Sequence, residues 1–206
     1  MTGTLVLIAG PSGAGKDTLL RLAQERLADD PRFAFVRRVI TRPKEAGGED
    51  HEPASPAEFA ASAAAGAFAL SWDAHGLRYG VPRAIQEDLA AGRLVIVNVS
   101  RAVIGEAARL YPRCCAIIVT APMEVLAARL ASRGREPASE HQARLARPDL
   151  PADLELTPHY LSNDRSPAEG AEALIDILNR YASPTPASSV PAERPGEAPS
   201  LIGRTA

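Results

Sequence analysis

The most specific chemistry in the chain lies in the consecutive residues Gly10-Pro11-Ser12-Gly13-Ala14-Gly15-Lys16-Asp17-Thr18. Glycines at 10, 13 and 15 permit backbone conformations that aim successive N–H groups at a phosphate. A helix starting near Lys16 adds its positive end, and the Lys16 ammonium reaches the phosphoryl group in transit. The position after the lysine, normally a Ser or Thr hydroxyl that binds magnesium, is Asp17, with Thr18 behind it. A carboxylate is a hard oxygen ligand able to hold Mg2+ directly or through water. The alternative reading is a carboxylate in the first helical turn with a dipole role worth less than about 1 kcal/mol. A second concentration of chemistry is cationic: Arg37, Arg38 and Arg42, then Arg78 with Tyr79, and Arg101 beyond. Guanidinium forks suit bidentate phosphate contacts, and Asp73, His75 and Asn98 offer partners for sugar hydroxyls or a second phosphate.

Such residues need a frame. Apolar runs bounded by turn signals recur at Thr4 to Ala9, Phe33 to Ile40, Leu94 to Val99 and Cys114 to Thr120. Between them, helical periodicity is expected over Lys16 to Ala28, Pro82 to Ala91, Arg101 to Leu110, Pro122 to Arg133 and Ser166 to Tyr181. The alternation predicts an α/β fold with a central parallel sheet covered on both faces by helices. The glycine-rich loop falls between a strand and a helix, the context a P-loop requires. Two stretches, 41–81 and 134–156, break the rhythm and read as insertions. From Ser183 the composition turns to Pro, Ala, Ser and Glu, so the chain is read as one domain over 1–182 and a disordered tail over 183–206.

Composition narrows the partners. At 206 residues the chain suits one well-buried α/β domain. A net charge of -2 gives no global attraction to nucleic acid or anionic membrane. No apolar run approaches the roughly 20 residues that a spanning helix needs. Cys114 and Cys115 are adjacent in a strand-like run, so their side chains point to opposite faces and are expected to be reduced. A cytoplasmic enzyme acting on a small molecule is the expectation, with no nucleic acid and no membrane as partner.

From the phosphate loop to about Arg180 the sequence resembles the guanylate-kinase-like branch of the P-loop kinases. The resemblance rests on residues 10 to 16, Thr41-Arg42-Pro43, Gly76-Leu77-Arg78-Tyr79-Gly80, Arg129-Leu130-Ala131-Ser132-Arg133-Gly134, Arg144-Leu145 and Asn163-Asp164. It implies a three-layer P-loop kinase fold, an acceptor-binding insertion at about 41–81 and an arginine lid at about 134–150, with ATP and Mg2+ bound at the loop. By the same resemblance Arg133 and Arg144 are assigned to phosphate in the catalytic step with Lys16, and Arg129 joins them; the alternative for all three is a solvated helix face. Asn163 matches the adenine-side loop or forms a turn. A homodimer is compatible with this reading.

The guanine-reading carboxylates of that branch are missing. Their positions hold Leu70 or Ser71, and Asn98, so a pocket for GMP would lack its hydrogen-bond acceptors. The departures match the ribose 1,5-bisphosphate phosphokinases, which this chain resembles through Gly15-Lys16-Asp17-Thr18, Arg38-Val39-Ile40-Thr41-Arg42-Pro43, Gly48-Glu49-Asp50-His51-Glu52, the run from Leu70 to Gly80, and Val97-Asn98-Val99-Ser100-Arg101. That resemblance implies ATP-dependent phosphorylation of ribose 1,5-bisphosphate to 5-phosphoribosyl 1-diphosphate in phosphonate breakdown. The expected acceptor-site residues are Arg38, Arg42, Asp73, Arg78, Tyr79, Asn98 and Arg101. Trp72 packs the insertion's hinge or touches substrate, while Asp50, His51 and His75 are solvated loop or ligand. The competing readings are a nucleoside monophosphate kinase of the guanylate type and a non-catalytic binding module of the same fold.

Overall fold

The computed structural model describes residues 3–44, 49–132 and 156–182. Strand β1 (Thr4–Ala9) leads into the phosphate loop and helix α1 (Lys16–Arg26). There follow β2 (Phe33–Phe35), β3 (Val39–Ile40), β4 (Glu52–Pro53), α2 (Pro56–Ala64), β5 (Phe68–Ala74) and β6 (Leu77–Pro82). The chain continues through α3 (Ile85–Ala90), β7 (Leu94–Asn98), a 3-10 turn (Arg101–Val103), α4 (Ile104–Leu110), β8 (Cys114–Thr120) and α5 (Met123–Ser132). It closes with β9 (His159–Ser162) and α6 (Pro167–Ala182). The expected lid at 134–150, Arg133, Arg144 and the tail at 183–206 lie outside the described residues.

The main sheet runs β2-β7-β1-β8-β9, all parallel, with Leu7 opposite both Val97 and Ala116. Residues Leu5 to Ala9 are fully buried because helices cover both faces, which removes the need for polar alternation. Leu5, Leu7, Val95 and Val97 pack toward Ile85, Leu89, Ile104 and Ala107 of α3 and α4. The opposite pleat face, Val6, Ile8 and Ile117, meets Leu19 of α1, Leu126 of α5 and Leu174 and Leu178 of α6. Full burial of each such side chain contributes about 1.5–3 kcal/mol. The three-layer α/β expectation therefore holds.

The single strand expected over Phe33 to Ile40 is two strands in two sheets. After Val36, whose N–H still donates to Ile96 O at 2.9 Å, the chain turns away from β7. Consecutive arginines end the apolar run at Arg37 and Arg38, and Val39–Ile40 joins a second sheet of order β4-β3-β6-β5. This sheet and α2 make up the insertion. Helix α2 is built by a reciprocal cap: Glu58 N–H donates to Ser55 Oγ at 3.2 Å, and Ser55 N–H donates to the Glu58 carboxylate at 2.8 Å. The signal Ser55-Pro56-Ala57-Glu58 is legible in the sequence, although no helix was expected there. Phe59, the helix's buried residue, stacks on Phe68 with centroids 4.6 Å apart. Pro82 stays in β6 opposite Phe68, so α3 begins at Ile85 rather than at Pro82.

Cys114 and Cys115 are free, as expected, and burial pushes both thiols up to about 12. No helix among the described residues is long and apolar enough to cross a membrane.

Candidate active site

A cleft of about 220 Å³ opens beyond the carboxyl ends of β1 and β7, where parallel sheets place their ligands. Its floor is the phosphate loop: Gly10, Pro11, Ser12, Lys16 and Asp17 all face it. The loop shape depends on glycine at two close approaches. Gly10 has φ 144° with the Val119 carbonyl where a Cβ would stand, and Gly15 has φ 88° against the Asn163 amide. Gly13 and Ala14 are buried beneath the loop. Lys16 Nζ donates to the carbonyls of Gly10 at 2.8 Å and Pro11 at 3.0 Å. Withdrawal from water pulls the Lys16 ammonium down to about 8, against the opposing field of Asp17. Thr18 turns away from the cleft and lines a second cavity behind it, with Arg21 and Phe35.

The contacts of Asn163 give it a role other than the two expected from sequence. It is buried, its Nδ2 donates to Ala14 O at 2.7 Å and its N–H to Thr120 O at 2.7 Å. It thus pins the phosphate loop from behind. Arg129, half-buried on α5, brings a guanidinium nitrogen close to Gly15.

The facing wall belongs to the insertion sheet. Trp72 of β5 and Tyr79 of β6 are register partners, stacked at 5.4 Å between centroids and 4° between planes. The buried Arg38 guanidinium lies 5.5 Å from the Trp72 ring and 5.1 Å from Tyr79, a cation–π arrangement that fixes its direction. Arg38 pairs with Glu49, and Arg42 Nη2 approaches His51 Nδ1 at 3.3 Å. The Nε atoms of Arg38 and Arg42 are both buried without an acceptor among the described residues. A buried guanidinium edge left unpaired calls for an anionic ligand. His51, 2% exposed, is no solvated loop residue. Its Nε2 lies 3.0 Å from the Arg42 carbonyl and its Nδ1 3.0 Å from the Glu49 carbonyl, with the tautomer setting which of the two nitrogens donates.

Asn98 and Arg101 complete the cleft. Asn98 Nδ2 donates to Asp17 Oδ1 at 3.0 Å and to Glu49 Oε2 at 3.3 Å. An aspartate at position 98 would set three carboxylates against one another, whereas the amide joins the two already present. Leu70 is buried in the core at 2% exposed, and Ser71 is exposed opposite Gly80, so neither supplies the missing base-reading acceptor.

Two expected acceptor-site residues do not line the cleft. Asp73 and Arg78 are register partners on the other pleat face of the β5–β6 hairpin, ion-paired at 3.4 Å with the Asp73 side chain 81% exposed. Arg78 instead covers the Phe59 ring at 4.7 Å. Strand alternation makes the correction inevitable: with Trp72 and Tyr79 facing in, their immediate neighbours face out. His75 does reach the cleft rim from the hairpin tip, at φ 54° beside Gly76 at φ 69°. Glu49, which no sequence pattern marks as a site residue, is central to the wall. Its partners come from β7 and the Arg37-Arg38 bend, which no local pattern connects to it.

Comparison with known proteins agrees with this geometry. No family model matches the chain. The crystal structure of guanylate kinase from Anaplasma phagocytophilum is similar at a TM-score of 0.63 and 18% identity, over 89% of this chain and 88% of that one. Fold, phosphate loop and arginine-bearing wall together define a P-loop kinase of the guanylate-kinase-like type. Among curated proteins, the ribose 1,5-bisphosphate phosphokinase PhnN of Acidiphilium cryptum is 51% identical over 179 residues, 87% of this chain and 94% of the relative. Its namesake in Brucella melitensis is 52% identical over 145 residues, 70% of this chain and 76% of the relative. The chain belongs to the ribose 1,5-bisphosphate phosphokinase family. It also matches, at 42% identity over 94% of its length, 32% of a bifunctional ribose 1,5-bisphosphokinase-thymidine phosphorylase of Cupriavidus necator.

Proposed function

We infer that the protein transfers the γ-phosphoryl group of ATP to ribose 1,5-bisphosphate, giving 5-phosphoribosyl 1-diphosphate and ADP. The observation that carries this reading is the pairing of a complete phosphate loop with a wall that offers buried guanidinium edges and holds Leu70, Ser71 and Asn98 at the positions where guanylate kinases carry base-reading carboxylates. Both ends of a sugar bisphosphate would be met by cations: the 1-phosphate near Lys16, and the 5-phosphate toward Arg38, Arg42 and Arg101.

An oxygen of the 1-phosphate attacks the γ-phosphorus, the bond from that phosphorus to the β-bridging oxygen breaks, and ADP leaves with the electron pair. The attacking phosphate is already ionised at neutral pH, so no side chain must remove a proton. Catalysis then consists of alignment and charge neutralisation. Lys16 and the loop N–H groups hold the donor. Arg133 and Arg144 are assigned to the closing side by the family pattern. Asp17 is the residue that would contact Mg2+, which when bound neutralises the donor phosphates. One carboxylate plus substrate phosphate oxygens is a donor set that this ion accepts, and no protein-only metal cluster exists among the described residues.

Phosphorus NMR of a reaction with ATP, Mg2+ and ribose 1,5-bisphosphate tests the assignment, with ribose 5-phosphate as the control. A diphosphate doublet on C1 of the sugar is expected from the first substrate. Ribose 5-phosphate, whose C1 carries a hydroxyl that would need deprotonation, should stay unreacted. Turnover of the control alone would replace the phosphate nucleophile with a hydroxyl.

A further inference from the structure

A carboxylate has no evident place in a cleft that must gather several phosphates. Glu49 nonetheless stands in its wall, its side chain 17% exposed, bonded to Arg38 on one side and to the Asn98 amide on the other. A phosphate dianion and a carboxylate side by side repel each other, and a mostly buried wall screens that repulsion little. The carboxylate therefore fits a part of the ligand that carries hydrogen-bond donors and no charge.

A ribose bisphosphate has only one such part. Its phosphates are acceptors, its ring oxygen is an acceptor, and the 2- and 3-hydroxyls are the neutral donors that remain. They sit midway between the two phosphates. Glu49 holds the corresponding place in the cleft, between the donor floor at Lys16 and Asp17 and the cationic wall at Arg38 and Arg42. The Asn98 bond aims it: one amide nitrogen holds both Asp17 and Glu49, so the carboxylate is oriented before any ligand arrives. Arg38 is engaged by Glu49 while its buried Nε has no acceptor among the described residues, which leaves that nitrogen for phosphate beside the carboxylate that would take the hydroxyls.

We propose that Glu49, aimed by Asn98, is the specificity residue that accepts hydrogen bonds from the vicinal hydroxyls of the ribose ring. The assignment rests on the sugar bisphosphate reading above and adds to it the group that distinguishes ribose from its deoxy analogues. A site built around a hydroxyl rejects the analogue that lacks it, because the carboxylate lone pairs that Arg38 and Asn98 do not use then stay desolvated without a donor.

The test compares the wild-type enzyme and Glu49→Gln on ribose 1,5-bisphosphate and on its 2-deoxy and 3-deoxy analogues, reading kcat/KM for each. Wild type should prefer ribose over at least one deoxy analogue by about 10- to 100-fold, the size of a hydrogen bond to a charged group. Glu49→Gln should bring that ratio within a few-fold of one, mainly through KM, with the KM for ATP little changed. Glu49→Asp, which keeps the charge on a shorter arm, should retain part of the preference.

An equal ratio in wild type and Glu49→Gln overturns the proposal and leaves Glu49 as a counter-charge for Arg38. So does a wild type indifferent to both hydroxyls, a result that needs no variant to fold. Failure of wild type to turn over ribose 1,5-bisphosphate at all would instead remove the functional reading beneath it.

Discussion

The two walls of the cleft are made in different ways. The donor side is backbone: glycines at tight approaches, N–H groups of a loop, the start of α1, and Asn163 bracing the loop through Ala14. The acceptor side is side chains: Trp72, Tyr79, Arg38 and Arg42 presented by short strands of a separate sheet. A backbone site tolerates few residue types and so leaves a contiguous signature. A side-chain site can be assembled from distant segments, and its meaning depends on which pleat face each strand turns inward.

Substitutions on the two walls should differ accordingly, and the largest loss belongs to the floor. Lys16→Ala should lower kcat by about 100- to 1,000-fold with circular dichroism unchanged. Steady-state kinetics at saturating acceptor checks this, and near-normal turnover would remove Lys16 from the phosphoryl path. On the facing wall, Arg42→Ala should raise the acceptor KM by about 10- to 100-fold while the KM for ATP stays within a few-fold. Equal effects on both substrates would merge the two walls into one.

The titration of Lys16 sharpens the same contrast. Its folded pKa is depressed to about 8, so its charge is present below pH 8 and lost above it. kcat/KM for ATP should fall as pH rises through 8, and acceptor capture should follow the same titration only through the 1-phosphate that lies near Lys16. The sign for folding is opposite. Between pH 8 and the unfolded value near 10.5 the unfolded chain binds the additional proton, so this group makes stability rise with pH. Denaturant unfolding at pH 7.5 and 9.5 separates the two effects. The smallest change is expected outside the wall: Asp73→Ala should leave both KM values within about twofold, because an exposed ion pair contributes little. A large rise in the acceptor KM would return Asp73 to the site.

What could be read from sequence follows from the same contrast. The run from Gly10 to Thr18, the buried strands and the helices flanking them are local patterns, and the structure places nearly all of them as expected. Asn98 and Arg101 were legible because one ends a core strand and the other opens the turn just after it. Asp73 and Arg78 were misassigned because a cluster of polar residues on a hairpin carries no mark of which face is inward until the register Trp72 to Tyr79 is known. The break of the second strand at Arg37-Arg38 is hard to read because both halves are apolar, and the Trp72 and Tyr79 rings that Arg38 meets after the turn lie far along the chain. Glu49 gained a role only through partners that fold to it from β7 and the β2–β3 bend.

The most direct test is competition in one vessel: limiting ATP, Mg2+, and equal concentrations of ribose 1,5-bisphosphate and GMP. The expected result is that 5-phosphoribosyl 1-diphosphate accumulates and GDP does not, since Asn98, Leu70 and Ser71 leave guanine without its acceptors. Preferential formation of GDP would contradict the assignment of the facing wall to a sugar phosphate and return the protein to the nucleotide kinases.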